Sequence, residues 1–277
     1  SCSLTNMKLF VFLACLAVAS AGVVPSESAR AVPVKDMPRA GKIEGRITNG
    51  YPAYEGKIPY IVGLSFNDGG YWCGGSIIDH TWVLTAAHCT NSANHVLIYF
   101  GASFRHEAQY THWVSRSDMI QHPDWNDFLN NDIALIRIPH VDFWSLVNKV
   151  ELPSYNDRYN SYSGWWAVAS GWGLTDNNSG MSNYLNCVDV QIIDNNDCRN
   201  YYGSNYITDN TICINTDGGK SSCSGDSGGP LVLHDNNRIV GIVSFGSGEG
   251  CTAGRPAGFT RVTGYLDWIR DHTGIVY

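Results

Sequence analysis

A single serine, Ser227, stands in the run SSCSGDSGGPLVL (residues 221 to 233) between Asp226 and two glycines, Gly228 and Gly229. A serine hydroxyl is a poor nucleophile at neutral pH, so such a setting supports chemistry only if a base can take its proton. A neutral imidazole can do so, and a carboxylate that fixes the imidazole's tautomer completes the set. The chemistry in prospect is attack of an alkoxide-like oxygen on a carbonyl.

Taken alone, GDSGG fits G-x-S-x-G, a weak pattern. In an α/β-hydrolase elbow the acid and the histidine follow the serine. Here only His234 and His272 follow Ser227, and β-like runs surround it, so the elbow reading fails on context. Better partners lie upstream, in WVLTAAHCTN and NNDIALIRI. His88 follows an apolar run and is flanked by Cys89, which could staple it in place through Cys73 of WCGGS. Asp132 opens an apolar run that would draw its carboxylate toward the core, where it needs a hydrogen-bond partner. Cys73, His88 and Cys89 could also be read as zinc ligands, but the paired spacing of zinc sites is absent and a disulfide fits better.

The elements that must position these residues are short. From Ile47 onward the runs WVLTAAHC, HVLIYFG, DIALIRI, WWAVASG, VDVQII, PLVLH, RIVGIVSFG and AGFTRVTG are punctuated by Gly, Asn and Asp. This predicts an all-β barrel architecture. Only TGYLDWIRDHTG has helical spacing, with Tyr265, Leu266, Trp268 and Ile269 on one face, Thr263 as N-cap and Gly274 as the stop. Residues 164 to 166, GWW, read as core packing at a strand start.

The chain has 277 residues, 44% of them hydrophobic and 16% charged, ample for a sizeable core. Its net charge of -7 and lack of a basic patch argue against a nucleic-acid partner. Residues 1 to 6 precede a start at Met7. Lys8, the apolar run from Leu9 to Val18, and Ala19-Ser20-Ala21 form a secretory signal pattern over residues 7 to 21, too short an apolar run for a membrane anchor. Residues 22 to 46 are rich in Pro, Ala, Ser and charge without an apolar period, and are expected to stay outside any core as a pro-segment or linker. That segment ends at Arg46, before ITNG, a boundary suited to a trypsin-like enzyme. Removal of the signal leaves seven cysteines, hence three bridges and one leftover thiol in an oxidising compartment; spacing alone does not choose the pairs. From Ile47 on there are 22 acidic and 12 basic residues, which favours solubility and leaves few sites for a coexisting trypsin.

The order His88, Asp132, Ser227, with TAAHC, DIAL and GDSGGP, and RITNG at the cut site, resembles the chymotrypsin-like serine peptidases over residues 47 to 277. The short pro-segment, HPDWN and the acidic mature chain are similar to secreted digestive enzymes of insects, which places the protein outside the cell, in a gut lumen. The resemblance implies two six-stranded antiparallel Greek-key β-barrels, at about residues 47 to 155 and 156 to 277, with a C-terminal helix. It implies a secreted serine endopeptidase made as a zymogen and cut after Arg46. His88 would be general base and then acid, Asp132 its orienter, and Ser227 the nucleophile.

The backbone N–H groups of Gly225 and Ser227 would receive the oxyanion, and a side chain at residue 225 could block that approach. Gly228 and Gly229 would let the chain turn below the nucleophile. Asp226, costly to bury alone, would pair with the new α-amino group of Ile47. Disulfides Cys73 to Cys89, Cys198 to Cys213 and Cys223 to Cys251 follow from the same resemblance. Cys187 is then the leftover thiol, a buried strand position.

By similarity the specificity pocket has Ser221 at its base, Gly246 on one wall and Ala257 on the other, with Glu249 in its rim loop. Ser244, Phe245 and Gly246 would pair with the substrate backbone as an added strand. An uncharged base disfavours Lys and Arg and favours Phe, Tyr, Leu or Met. Elastase-like or collagenolytic specificity is the alternative, and an inactive homologue that only binds partners is a third reading. Expected partners are protein and peptide substrates, an activating trypsin-like protease and protein inhibitors, with no nucleic acid, no membrane and a monomeric state. No cofactor is expected, nor a metal: FGASFRHEAQYTH holds one acid, Glu107, too few for a calcium cage. Asn177 in NNS is a glycosylation sequon on a surface loop.

Overall fold

The computed structural model describes residues 31–33 and 47–277. The signal reading and all of the pro-segment reading except Ala31–Pro33 lie outside the described residues. The chain forms β1 (Ala31–Pro33), β2 (Tyr51–Pro52), β3 (Ile61–Phe66), β4 (Tyr71–Asp79), β5 (Trp82–Thr85), α1 (Ala87–Thr90), β6 (His95–Phe100), β7 (Tyr110–Ser115), β8 (Met119–Gln121) and β9 (Ala134–Arg137). There follow β10 (Trp166–Gly171), β11 (Asn186–Ile193), α2 (Asn195–Tyr202), β12 (Thr211–Ile214), β13 (Pro230–Leu233), β14 (Ile239–Ser247), β15 (Ala257–Arg261) and α3 (Leu266–Thr273).

The expected all-β architecture is present as two sheets. The first, in the order β7-β6-β3-β4-β5-β9-β8, is a curled antiparallel half-barrel of seven strands. In the second, β10, β11, β12, β15, β14 and β13 pair in sequence, and the pairing of β14 with β15 and β13 closes a six-stranded barrel. β1 and β2 join that barrel from outside its ring, on β14 and β11. β6 shows the alternation of a half-buried strand, with Val96, Ile98 and Phe100 inward. β13, β14 and β15 are buried along their whole length, as befits strands between the barrel core and its neighbours.

Several expectations change. Residues 22 to 46 do not all stay apart: Ala31–Pro33 pairs with β14, and Ala31 is buried. An open strand edge accepts backbone hydrogen bonds without needing an apolar period in the segment that supplies them. Trp165 and Trp166 are 39% and 52% exposed, so GWW is no core cluster. Gly164 turns the chain there with φ 84°, Trp165 packs edge-on against Tyr162, and Trp166 takes the outward position of β10.

Thr263 does not cap α3. It lies inside a 3-10 turn, Val262–Tyr265, that leads into the helix. Gly274, left-handed at φ 73°, ends α3 as expected, and Leu266 and Ile269 bury its inner face. The second helix, α2, was not foreseen, although Asp194 accepts from Asn196 N as its N-cap and Gly203 follows its last turn.

Candidate active site

His88 and Asp132 are set by two short connections of the first sheet. β5 ends at Thr85, and after the single residue Ala86 α1 begins and carries His88 inward, where it is 2% exposed. Asp132 lies two residues before β9, after a loop in which Leu129 (φ 59°) and Asn131 (φ 57°) are both left-handed. That is unusual backbone for side chains other than glycine. The loop is held by Asn131, whose Nδ2 donates to the carbonyl of Asp124 and whose Oδ1 accepts from the Tyr265 hydroxyl at 2.9 Å.

The two residues meet face to face. His88 Nδ1 lies 2.7 Å from Asp132 Oδ2, and the backbone N–H of His88 donates to Oδ1 at 2.8 Å. A third donor comes from the second sheet, the Ser244 hydroxyl, 2.5 Å from Oδ2. Thr260 Oγ1 donates to the carbonyl of Asp132 at 2.7 Å. Burial pushes the Asp132 carboxyl upward, but the His88 charge and hydrogen bonds from the His88 ring, Ser244 and the His88 N–H outweigh it. They hold it below the ordinary carboxylate value. The carboxylate is therefore ionised, and it fixes the imidazole with Nδ1 as donor and Nε2 facing away.

Ser227, carried by the second sheet, is tied to the same elements. Its carbonyl accepts from Gly74 N at 2.7 Å, and Gly228 N donates to Val243 O at 2.8 Å. Gly74 is next to Cys73, whose sulfur is bonded to Cys89, the neighbour of His88. Val243 precedes Ser244, the donor to Asp132. The turn carrying Ser227 is thus stitched between the elements that hold the imidazole and the carboxylate. His88 Nε2 and Ser227 Oγ, the two atoms left over, are both buried and find no hydrogen-bond partner among the described residues.

Glycine is required at two points of that turn. Gly228 has φ 76°, and a side chain would run into Thr85 Oγ1 and the Gly74 carbonyl. Gly225 has φ 98°, and a Cβ would stand 2.7 Å from the Met181 methyl and 3.0 Å from Gly173 Cα. The neighbours that exclude a side chain at residue 225 are therefore Met181 and Gly173.

Asp226 points toward Gly171 and Gly173 at the end of β10, at 1% exposure. Its carboxylate accepts from Gly173 N at 2.8 Å and Cys223 N at 2.9 Å. Burial pushes its pKa up to about 7, offset in part by those two N–H groups. Ile47 is fully buried, its carbonyl accepting from Gly50 N at 2.6 Å. The two residues after it grip the same region: Thr48 Oγ1 donates to the Ser221 carbonyl at 2.7 Å, and Asn49 Nδ2 to the Gly218 carbonyl at 2.7 Å.

Of the expected pocket residues, Ser244, Phe245 and Gly246 lie on β14 and Ala257 opens β15, while Ser221 lies in the loop gripped by Thr48. Ser221 and Ala257 are buried. Phe245 pairs with Gly258, where a Cβ would penetrate the Phe245 ring. Glu249 makes an ion pair with Arg255 at 3.0 Å. The half-buried Asn177 leans on this rim, accepting weakly from Thr252 N at 3.4 Å.

The three disulfides are those the resemblance implied: Cys73 to Cys89, Cys198 to Cys213 and Cys223 to Cys251. Cys73, His88 and Cys89 cluster, but the two sulfurs are bonded to each other and offer no thiolate to a metal. Cys187 is a free thiol on β11, buried beside the Ser170 hydroxyl at 3.6 Å, and burial pushes its pKa up. Ser244 as a partner of Asp132 was missed by sequence reasoning. A hydroxyl in the otherwise apolar run IVGIVSFG was the available signal, since a buried hydroxyl needs a partner.

Comparison with known proteins agrees with this geometry. The trypsin family model, described as Trypsin, matches residues 47–269. Serine protease 1 of Drosophila melanogaster is 65% identical over 274 residues, covering 98% of this chain and all of that protein. Collagenase of Hypoderma lineatum is 44% identical over 238 residues, 84% of this chain and 90% of its own. A solved structure described as HL collagenase aligns with TM-score 0.78 at 43% identity, covering 83% of this chain and all of its own. With an imidazole and a carboxylate paired beside a serine on a glycine turn, and a match that spans both sheets, the chain belongs to the trypsin family and is a serine endopeptidase.

Proposed function

We propose that His88, Asp132 and Ser227 are the catalytic residues and that hydrolysis proceeds through an acyl-enzyme. The observation that carries this reading is the doubly anchored His88–Asp132 pair, whose free Nε2 shares its lack of a partner with the Ser227 hydroxyl. His88 accepts the Ser227 proton as Oγ attacks the scissile carbonyl, and returns it to the leaving amine. Asp132 stays ionised and stabilises the imidazolium. Water then repeats the sequence on the ester. The N–H groups of Gly225 and Ser227 receive the oxyanion. Losing one donor of this type costs about 3 to 4 kcal/mol in the transition state.

The chain is a zymogen cut after Arg46. Cleavage would free the α-amino group of Ile47, which is already buried and gripped through Thr48 and Asn49 at the loop leading to Asp226. An ammonium there would neutralise a carboxylate that accepts from two backbone N–H groups, those of Gly173 and Cys223. Residues 7 to 21 would act as a secretory signal and residues 22 to 46 as the pro-segment. The protein is then extracellular, digestive and monomeric, meeting protein substrates, protein inhibitors and an activating trypsin-like protease. The disulfides support the oxidising compartment.

The primary pocket, with Ser221 at its base, Gly246 and Ala257 on its walls and no acid at its floor, would favour Phe, Tyr, Leu or Met before the scissile bond. Collagenolytic specificity is the second reading, favoured by the 44% identity to Hypoderma lineatum Collagenase. A cleavage profile on a peptide library, using protein cut at Arg46 with Ser227→Ala as blank, tests both. Fastest cleavage after Arg or Lys would overturn the pocket assignment, and cleavage of triple-helical collagen would favour the second reading. Labelling by a fluorophosphonate tests the nucleophile, and an unlabelled wild-type protein would leave a binding module.

A further inference from the structure

Along one edge of β14, β13 pairs only as far as Ile242, and the turn carrying Ser227 bonds the next residue, Val243, through Gly228 N and Gly229 O. Beyond Ser244 the same edge is taken by β1, with Ala31 opposite Ser247, Val32 opposite Gly246 and Pro33 opposite Phe245. The other edge of Phe245 is paired with Gly258, so β1 and the Ser227 turn lie on the same side of β14. β1 is antiparallel to β14, so its chain direction runs from Ser247 toward Ser244 and hence toward Ser227. A peptide strand on this edge, in this direction, is presented to the serine as a substrate would be.

The seat is also apolar and closed. Ala31 is 4% exposed and belongs to a cluster with Leu129, Tyr202, Ile207 and Phe245. A methyl group fits there, and a long charged side chain would have to be buried among two aromatic rings and aliphatic groups. Pro33 brings no backbone donor, and its fixed φ keeps the segment extended. Ser227 is itself fully buried.

We propose that Ala31–Pro33 is a built-in occupant of the substrate groove: it closes the groove in cis in the uncut chain and, once freed, competes for it as a peptide inhibitor. This rests on the reading of Ser227 and His88 as the reacting pair only for its consequence for activity. The seating itself is independent of catalysis, and the experiment separates the two.

The binding arm uses full-length protein carrying Ser227→Ala and Arg46→Gln, so that it is neither active nor cut, with or without Val32→Pro, which removes the central N–H of β1. A fluorescent peptide of residues 28 to 36, SARAVPVKD, is titrated by fluorescence polarisation. We expect at least tenfold tighter binding to the Val32→Pro chain, with an Ala31→Arg version of the peptide binding at least tenfold more weakly to it. Equal affinity of the peptide for the two chains would overturn the proposal. Circular dichroism and thermal unfolding establish that both chains are folded.

The kinetic arm adds unlabelled peptide to active protein cut at Arg46. A raised KM with unchanged kcat is expected, as is slow consumption of the peptide in competition with the reporter. Inhibition that lowers kcat alone, or none at tenfold the Kd of the binding arm, would overturn it. A binding difference with a protein that never hydrolyses any peptide would leave the seating intact and remove the catalytic reading instead.

Discussion

The Ser244 hydroxyl donates to Asp132 Oδ2 at 2.5 Å, across the junction between the two sheets. One strand therefore both pairs along its edge with Ala31–Pro33 and supplies a hydrogen bond to the carboxylate that holds His88. Ser244→Ala removes one of the three donors that hold the Asp132 pKa down. That pKa is depressed in the folded state, so its contribution to stability is present above the ordinary value of 3.8 and is lost as pH falls through the folded value. Without Ser244 the folded value rises. We expect acid unfolding of Ser244→Ala to begin at higher pH than in wild type, with a loss of about 1 to 3 kcal/mol at neutral pH, read from urea midpoints.

Replacing Asp132 by Asn keeps the shape but not the charge or the tautomer it selects. We expect kcat to fall by about 10⁴-fold, with Ser227→Ala and His88→Ala at least as low. A loss of less than tenfold in Asp132→Asn, measured on an amide substrate at neutral pH, would remove Asp132 from the catalytic set.

The Asp226 carboxyl gives a prediction of opposite sign. Its folded pKa is raised from 3.8 to about 7, so without a counter-charge the fold favours its protonated form. The stability contribution is full below 3.8 and is lost as pH rises through about 7. Uncut protein, held so by Arg46→Gln, should have a urea midpoint that falls between pH 4 and pH 8. Protein cut at Arg46 should show less of that fall, because the Ile47 ammonium would favour the ionised carboxylate. Matching curves for the two forms would dismiss the Ile47–Asp226 pairing.

Gly228→Ala meets two obstacles at once, a φ of 76° and the Thr85 hydroxyl and Gly74 carbonyl in the space a Cβ needs. Destabilisation of about 2 to 4 kcal/mol is expected, with activity lost in proportion beyond the fraction folded, since the turn must shift and carry Ser227 with it. Differential scanning calorimetry beside active-site titration reads both.

Removing the Cys73–Cys89 bridge by Cys73→Ala with Cys89→Ala opens a loop of sequence separation 16 beside His88. A loss of about 2 to 4 kcal/mol in stability is expected, together with lower kcat. The same replacement at Cys198 and Cys213, away from His88, should lower stability by a similar amount and leave kcat nearer wild type.

Legibility in the sequence followed the range of the interaction. His88, Asp132 and Ser227 each sit in a local motif, and β6 and β10 announce themselves by alternation or apolar runs, so the fold class and the residues of the candidate site could be picked out. The three bridges came from family resemblance, because cysteine spacing alone leaves the pairings open. Ser244 on Asp132 was hidden because its contact joins positions separated by 112 residues. β1 was hidden for another reason: its place depends on an open edge of β14, a property of the acceptor and not of Ala31–Pro33 itself. Trp165 and Trp166 misled because size alone argued for burial, while the turn at Gly164 set their direction.

The bonds from Thr48 to the Ser221 carbonyl and from Asn49 to the Gly218 carbonyl have a thermodynamic corollary. Two regions so tied bias one another equally in both directions. A small molecule lodged against Ser221 would steady the domain's first turn, slowing amide exchange at Thr48 and Asn49, and loosening that turn would weaken the small molecule's hold by the same factor.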